Sequence, residues 1–264
     1  MSPIESITII GGRGKNGQPE PVDRVELKMG NVASIVGPTG SGKTTLINDV
    51  EMFADGDTPS LRRILINGER PPREYRHDPS KNPIALITQH TTFLSDLPVG
   101  EFLEAHATVR AASGKHPDDM IKRTIDFANE LTGEPVDLDV RMTELSGGQT
   151  RALLIADATV ICDTPIVLLD EVENAGIDRT RCLELLRKQR KIFIFVTHDP
   201  RIALLSDFRI VIAEGRIMKI LGTNEAEREL ATRVSKLDDV LSRLREKLRV
   251  GQALSGEELE GVLV

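Results

Sequence analysis

Aromatic and sulfur-containing side chains are scarce in this sequence. Only 3% of its 264 residues are aromatic, with no Trp and a single Tyr. The two cysteines, Cys162 and Cys182, are not spaced as metal ligands, so we expect neither a disulfide framework nor a zinc site. This cysteine usage fits a reducing compartment such as the cytosol.

Long apolar runs and an excess of positive charge are also missing. No uninterrupted apolar run approaches the ~20 residues that cross a bilayer, and the start of the chain shows no basic-then-apolar signal. The formal net charge is −7, which argues against a nucleic-acid partner held through its phosphates. We therefore expect a cytoplasmic protein that reaches the inner face of a membrane only through a partner.

Apolar runs of strand length alternate with helix-like segments, which predicts an α/β fold with a largely parallel sheet. The runs at 208–213 and 216–220 predict a closing hairpin with its turn at Glu214 and Gly215. The other predicted strands are 32–37, 63–68, 84–89, 165–171 and 191–198.

Residues 92–144 have a different pattern from the rest of the chain. Two stretches, 99–112 and 117–132, have apolar residues at helical spacing, including Ile121 and Ile125 on one face. We interpret this region as a helical subdomain inserted into the sheet domain.

The segment "GPTGSGKTT" matches the phosphate-binding pattern G-x-x-x-x-G-K-[ST] and lies between a predicted strand and a helix. Backbone N–H groups of such a loop surround phosphate oxygens, and the helix that follows adds positive potential. The Lys reaches the β- and γ-phosphates, and the first Thr offers its hydroxyl to Mg²⁺. The residues are Gly37, Pro38, Thr39, Gly40, Ser41, Gly42, Lys43, Thr44 and Thr45. The motif predicts a nucleoside triphosphate site without naming the family.

The stretch "ELSGGQTRALLIADA" at 144–158 resembles the signature of the ATP-binding cassette (ABC) superfamily. The family's other motifs occur in the same order in this chain. They are represented by Gln89, by the segment "IVLLDE" that ends in Asp170 and Glu171, by Asp178 and by His198. The resemblance extends to about residue 222. It implies an ATPase with a RecA-like P-loop core over residues 1–223, a mainly parallel sheet, an antiparallel β portion and the helical subdomain.

In that family the signature binds the γ-phosphate of ATP held by another subunit. The resemblance therefore implies a head-to-tail dimer of two copies with ATP between them. The residues that would contact nucleotide from the partner side are Leu145, Ser146, Gly147, Gly148, Gln149 and Asp178.

The resemblance also implies roles for the strand-end residues. Asp170 would hold Mg²⁺ together with Thr44, Glu171 would polarise the attacking water, and His198 would contact the γ-phosphate. Gln89 would sense both the metal and the γ-phosphate. The other histidines have no such context, and we expect them at the surface: His77, His90, His106 and His116.

Two departures from the family pattern stand out. Residues 7–25 contain no aromatic that could stack on adenine, so Ile9 or Ile10 would supply an aliphatic contact, and we expect weak discrimination between ATP and GTP. After Glu171 the sequence reads "VENAGID" at 172–178 instead of the usual Pro-Thr-Ser and Ser-Ala-Leu-Asp, which puts communication between two sites in question rather than hydrolysis.

Residues 224–264 form a helical extension beyond the shared region. Apolar residues recur in it with alternating spacings of four and three, as in a coiled coil. They are Leu230, Val234, Leu237, Leu241, Leu244 and Leu248. The helix either packs on its own sheet domain or pairs with another helix.

Two classes of function remain open. One is the ATPase subunit of an ABC transporter whose membrane-spanning subunits are separate chains; "TFLSDLPVGEFL" at 92–103 resembles the groove that receives a coupling helix. The other is a soluble ABC ATPase that drives conformational change in a cytosolic complex, of the iron–sulfur assembly or metalloenzyme-maturation type, which the 172–177 turn and the heptads favour. DNA-repair ATPases are disfavoured, because only about 100 residues separate the phosphate loop from the signature.

Overall fold

The computed structural model describes residues 3–110, 116–171 and 179–254. Its strands are β1 (Ser6–Ile10), β2 (Arg24–Lys28), β3 (Val32–Val36), β4 (Arg63–Ile66), β5 (Ile84–Ile87), β6 (Ile166–Asp170), β7 (Ile192–Val196), β8 (Phe208–Ala213) and β9 (Arg216–Gly222). Its α-helices are α1 (Lys43–Glu51), α2 (Arg73–His77), α3 (Val99–Arg110), α4 (Pro117–Leu131), α5 (Gly147–Val160), α6 (Arg179–Lys188), α7 (Pro200–Leu205) and α8 (Glu225–Arg249).

The central sheet has six strands in the order β5-β6-β7-β3-β8-β9, all parallel except β9, which pairs antiparallel with β8. It is apolar on both faces because helices or a second sheet cover each side. In β7, Ile192 and Ile194 pack into one core and Phe193 and Phe195 into the other, as strand alternation requires. The predicted α/β fold with a mainly parallel sheet is confirmed.

A separate antiparallel sheet has the order β2-β1-β4. The run at 63–68 therefore forms a strand, but that strand lies outside the parallel sheet. Neither β1 nor β2 was predicted from the sequence, although Val25 and Leu27 alternate with polar residues and are both buried. Together with α1, this sheet covers one face of the central sheet.

The region predicted as a helical insertion contains α3 and α4, which lie between β5 and β6 in the chain. Buried apolar residues on one side of each helix join the core beneath the central sheet, among them Leu103, Phe127 and Leu131. Full burial of such a side chain contributes about 1.5–3 kcal/mol relative to exposure. Among the described helices, none is both long and apolar enough to span a bilayer.

Within 224–254, the described part of the extension, the chain forms helix α8, which packs along α7. Arg201 Nη1 lies 2.8 Å from Asp238 Oδ2, and Arg209 donates to Glu227, so two ion pairs join α8 to the core. The side chains of Ala231 and Val240 are buried, whereas four heptad leucines are exposed: Leu230, Leu237, Leu241 and Leu248. One side of α8 thus packs on the domain, and pairing through the heptads stays a prediction.

Candidate active site

The phosphate loop connects the carboxyl end of β3 to the first turn of α1. Gly42, the residue before α1, has φ of 103°, a conformation that favours glycine, and a Cβ there would meet Gly215 Cα at 2.9 Å. A Cβ on Gly37 would lie 2.2 Å from Ile212 O. Both glycines are therefore required by close packing against β8 and the hairpin turn that follows it.

Lys43 lies inside this loop and is almost fully buried. Its Nζ donates to Gly37 O at 2.9 Å and to Pro38 O at 3.1 Å, which places the ammonium group in the centre of the loop. Ser41 is buried as well, and its hydroxyl has no hydrogen-bond partner. A buried cation and an unsatisfied hydroxyl in one loop fit an anionic ligand with several acceptor oxygens.

The other predicted catalytic residues follow neighbouring parallel strands. Asp170 ends β6, His198 follows β7 by two residues, and Gln89 follows β5 by two residues. Since parallel strands have their carboxyl ends at the same edge of a sheet, all three lie at the edge that carries the phosphate loop.

Glu171 lies directly after β6 and beside His198. Its backbone φ of 51° is uncommon for a residue other than glycine, and its N–H donates to Val196 O at 3.0 Å. His198 Nε2 lies 3.7 Å from Glu171 Oε1, and both side chains reach solvent. The two groups can act on one water molecule from adjacent strand ends.

The metal ligands expected from the sequence are all oxygen donors. Thr44 is exposed in the first turn of α1, Asp170 is half-buried, and Gln89 is exposed. Hydroxyl, carboxylate and amide oxygens are the donors that Mg²⁺ prefers, so this set fits that ion.

The signature residues form the start of α5. Ser146 Oγ accepts from Gln149 N at 3.3 Å, Gln149 Oε1 accepts from Ser146 N at 2.9 Å, and Gln149 Nε2 donates to Pro135 O at 2.8 Å. This reciprocal cap rigidifies the helix start. Gly147 is exposed with open space around its Cα, and the first N–H groups of α5 point away from the helix, where an anion can bind.

Arg151 is a site residue that was not predicted from the sequence. Its Nη2 donates to Gln89 O at 2.7 Å, which joins the signature helix to the segment after β5. The two residues are 62 positions apart, and nothing in their local sequence indicates the contact.

The loop before β2 contributes a second contact that the sequence did not predict. Lys15 Nζ donates to Gly40 O at 2.7 Å, so this exposed Lys lies on the phosphate loop. Lys15 N donates to Glu214 O, and Gly215 N donates to Ser41 O at 2.7 Å. The loop at 11–19 and the β8–β9 turn thus flank the phosphate loop together.

A buried ionic network lies beneath these loops. Arg62, fully buried, donates to Glu20 Oε1 at 2.6 Å, to Asp49 Oδ2 at 2.9 Å and to Gly215 O at 2.8 Å. Burial alone would lower the pKa of Arg62, but Glu20 and then Asp49 outweigh it and raise that pKa above its ordinary value. Glu20 also accepts from the N–H groups of Gly12 and Ile217. The network joins α1, the 11–20 loop and the hairpin.

Some residues predicted from the sequence lie outside the described part of the chain, and others lie elsewhere than expected. Asp178 and the rest of 172–178 lie outside the described residues. Ile9 is buried in the core, so it cannot contact a base, while Ile10 is half-buried. His77, His90 and His116 are exposed as expected. The expectation for His106 was wrong: it is half-buried, with Nδ1 2.9 Å from Asp157 Oδ1.

A phosphate loop at the carboxyl edge of a parallel sheet, beside an acidic pair and a histidine, defines a P-loop nucleoside triphosphatase. The family model for ABC transporters matches residues 23–174. The uncharacterized ABC transporter ATP-binding protein MJ0121 of Methanocaldococcus jannaschii is 50% identical over 256 residues, 97% of this chain and 97% of that protein. The chain belongs to the ABC transporter family, as a nucleotide-binding ATPase of ABC type.

Two further similarities agree with this assignment. The spermidine/putrescine import ATP-binding protein PotA of Bacteroides fragilis is 31% identical over 232 residues, which cover 83% of this chain and 48% of PotA. A solved structure, described as a dimeric post-hydrolysis state of the ATP-binding cassette MJ0796 bound to ADP and Pi, aligns with a TM-score of 0.61. That alignment, at 21% identity, covers 83% of this chain and 99% of the other, and it shows the fold alone.

Proposed function

We propose that the chain is the ATPase subunit of an ABC transporter, and that two copies bind and hydrolyse ATP between them in a head-to-tail dimer. The observation that carries the catalytic part is the pairing of Glu171 with His198, 3.7 Å apart at the sheet edge that holds the phosphate loop. The relatives named as transporter ATP-binding proteins support the transport part.

In this proposal the loop N–H groups and Lys43 bind the β- and γ-phosphates. Glu171 accepts a proton from the attacking water, and His198 orients that water against the γ-phosphate. Thr44, Asp170 and Gln89 would hold Mg²⁺, which when bound neutralises charge on the phosphates. Ser146 and the N–H groups that begin α5, together with Asp178, would complete the site of the other copy.

Exposed apolar residues support a membrane partner. Leu94 is fully exposed and Leu97 is 44% exposed, both within the 92–103 segment that follows Gln89. A helix of a separate membrane-spanning subunit would bury them, which would place the chain at the cytoplasmic face of the membrane. Gln89, joined to α5 by Arg151, would then relay nucleotide state to that contact.

A second candidate function is a soluble ABC ATPase within a cytosolic complex. The observation that favours it is the exposed row of heptad leucines on α8, between 43% and 60% exposed, which a helix of another protein could cover.

The variant Glu171→Gln tests the catalytic assignment that the two candidate functions share. We expect it to bind ATP but to hydrolyse it about 100-fold or more slowly, and to form an ATP-dependent dimer visible by size-exclusion chromatography. Glu184→Gln, an exposed change on α6, is the matched control and should behave like the native protein.

The proteins that co-purify with the ATP-trapped variant separate the two candidates. Membrane permease subunits would support transport, whereas a soluble metalloprotein or scaffold would support the second function. Full ATPase turnover in Glu171→Gln would contradict the catalytic assignment itself.

A further inference from the structure

Three side chains with metal-binding chemistry converge at the end of α5 that lies away from the signature. His106 Nδ1 is 2.9 Å from Asp157 Oδ1, Cys162 Sγ is 3.7 Å from Asp157 Oδ2, and Sγ is 3.9 Å from His106 Nε2. One ligand atom from each residue lies within 4.8 Å of the others. None of these residues belongs to the ATP site.

Local structure explains how the three residues meet. His106 lies on α3, one turn after Phe102, whose ring centroid is 5.9 Å from that of the imidazole. Asp157 is in the last turn of α5. The backbone N–H of Cys162 donates to Asp157 O at 2.9 Å, and this bond folds the chain back so that the thiol lies beside the carboxylate.

The Asp157 side chain is only 12% exposed, and a carboxylate buried to that extent without a partner is costly. Asp157 Oδ1 and His106 Nδ1 are close, yet neither is in a hydrogen bond of good geometry. Asp157 and then Cys162 raise the pKa of His106 to about 10.

The arrangement differs from a catalytic relay in one contact, that between the thiol and the carboxylate. In a nucleophile–imidazole–carboxylate relay, the acid and the nucleophile lie on opposite sides of the ring. Here the carboxylate faces Nδ1 and the thiol faces Nε2, but Sγ is also 3.7 Å from Asp157 Oδ2, and one ligand atom of each residue lies within 4.8 Å of the others. Ligands of a tetrahedral ion with bonds of about 2.0–2.3 Å are separated by about 3.3–3.8 Å, so the three side chains would have to rotate to bring one atom of each from within 4.8 Å to that spacing.

We propose that His106, Asp157 and Cys162 bind a divalent transition metal ion of the zinc type, with one position open to water. Imidazole, thiolate and carboxylate suit such an ion better than Mg²⁺ or Ca²⁺. The ion would join α3 of the helical insertion to the last turn of α5 and to Cys162, which lies four residues before β6 begins. No zinc site was expected from the sequence, because Cys162 and Cys182 are not spaced as metal ligands; the histidine of the cluster lies 56 residues before Cys162.

Cobalt titration of the full chain tests the proposal. The reduced protein, freed of metal with a chelator and kept without nucleotide or Mg²⁺, is titrated with Co²⁺. We expect one equivalent to produce thiolate-to-cobalt charge-transfer absorption in the near ultraviolet, and Zn²⁺ to abolish it by displacement.

Cys162→Ser should lose the charge-transfer band. His106→Gln and Asp157→Asn should weaken Co²⁺ binding by more than about 100-fold, since loss of even an outer-shell partner costs about 10–100-fold. Cys182→Ala, which removes the other thiol from the core, is the matched control and should keep the band. Retained ATP binding shows that each variant is folded.

A second measurement does not depend on cobalt spectra. Zn²⁺ should raise the Tm of the native protein and of Cys182→Ala, but not of Cys162→Ser. The proposal is overturned if the native chain gives no band, if Cys162→Ser keeps it, or if Cys182→Ala loses it.

Discussion

Two charged clusters lie beside the phosphate loop, and they are built in opposite ways. In the Arg62 network, the guanidinium and two carboxylates are buried and satisfy one another within 2.9 Å. In the Glu171–His198 pair, the side chains reach solvent, and Nε2 and Oε1 lie 3.7 Å apart, outside hydrogen-bond distance. The buried cluster uses its interactions to join three chain segments. The exposed pair lies where water and phosphate can reach it.

The largest effect that separates the two clusters is on stability. Arg62→Met should lower the free energy of unfolding by about 3–5 kcal/mol, because it leaves Glu20 and Asp49 buried without their cation. Urea denaturation measures the change. Arg24→Met removes an exposed pair with Glu26 and should change stability by less than about 1 kcal/mol.

Arg62→Lys is a milder variant that tests the same network if Arg62→Met does not fold. It keeps the charge but cannot reach both carboxylates and Gly215 O, so its loss of stability should lie between those of native protein and Arg62→Met. Equal stability of Arg62→Met and Arg24→Met would show that the buried network is not what stabilises these loops.

The exposed pair should show the reverse behaviour. His198→Gln should lower kcat by about 100-fold, because the imidazole no longer orients the water beside Glu171. Its stability should change by less than about 0.5 kcal/mol, since the side chain is half exposed. Steady-state ATPase assays and urea denaturation measure the two quantities. His77→Gln, an exposed change on α2, should alter neither, and a large loss of stability in His198→Gln would make that residue structural.

A smaller effect concerns the connection between the sheet edge and the signature helix. Arg151→Met removes the hydrogen bond to Gln89 O and should lower kcat about threefold to tenfold, as expected for one hydrogen bond. KM for ATP should stay the same, because Arg151 does not lie on the phosphate loop. Arg123→Met on the exposed side of α4 is the control. A rise in KM at unchanged kcat would assign Arg151 to nucleotide binding instead.

The contrast between the clusters also explains what could be predicted from sequence. The catalytic residues follow buried strands at fixed points, so the apolar runs by themselves indicate that Asp170, Glu171 and His198 share one edge of the sheet. Arg62 and Glu20 are 42 positions apart in the sequence, and Arg151 and Gln89 are 62 positions apart. Contacts of this kind depend on tertiary packing, and no local pattern carries them. The strand β2 is different, since its alternation of polar and apolar residues is a local pattern present in the sequence.

The smallest effect tests what the loop at 11–19 does for the site. Lys15 Nζ lies 2.7 Å from Gly40 O of the phosphate loop. A triphosphate bound in that loop would offer the Lys15 ammonium group a charged acceptor. Lys15→Ala should therefore weaken nucleotide binding about twofold to fivefold, the range of an exposed ionic contact of under 1 kcal/mol. Lys28→Ala, on β2, is the charge-matched control. Because a phosphate contact does not distinguish bases, ATP and GTP should lose affinity equally in calorimetric titrations. Native protein that strongly prefers ATP, with the preference lost in Lys15→Ala, would instead place Lys15 at the base.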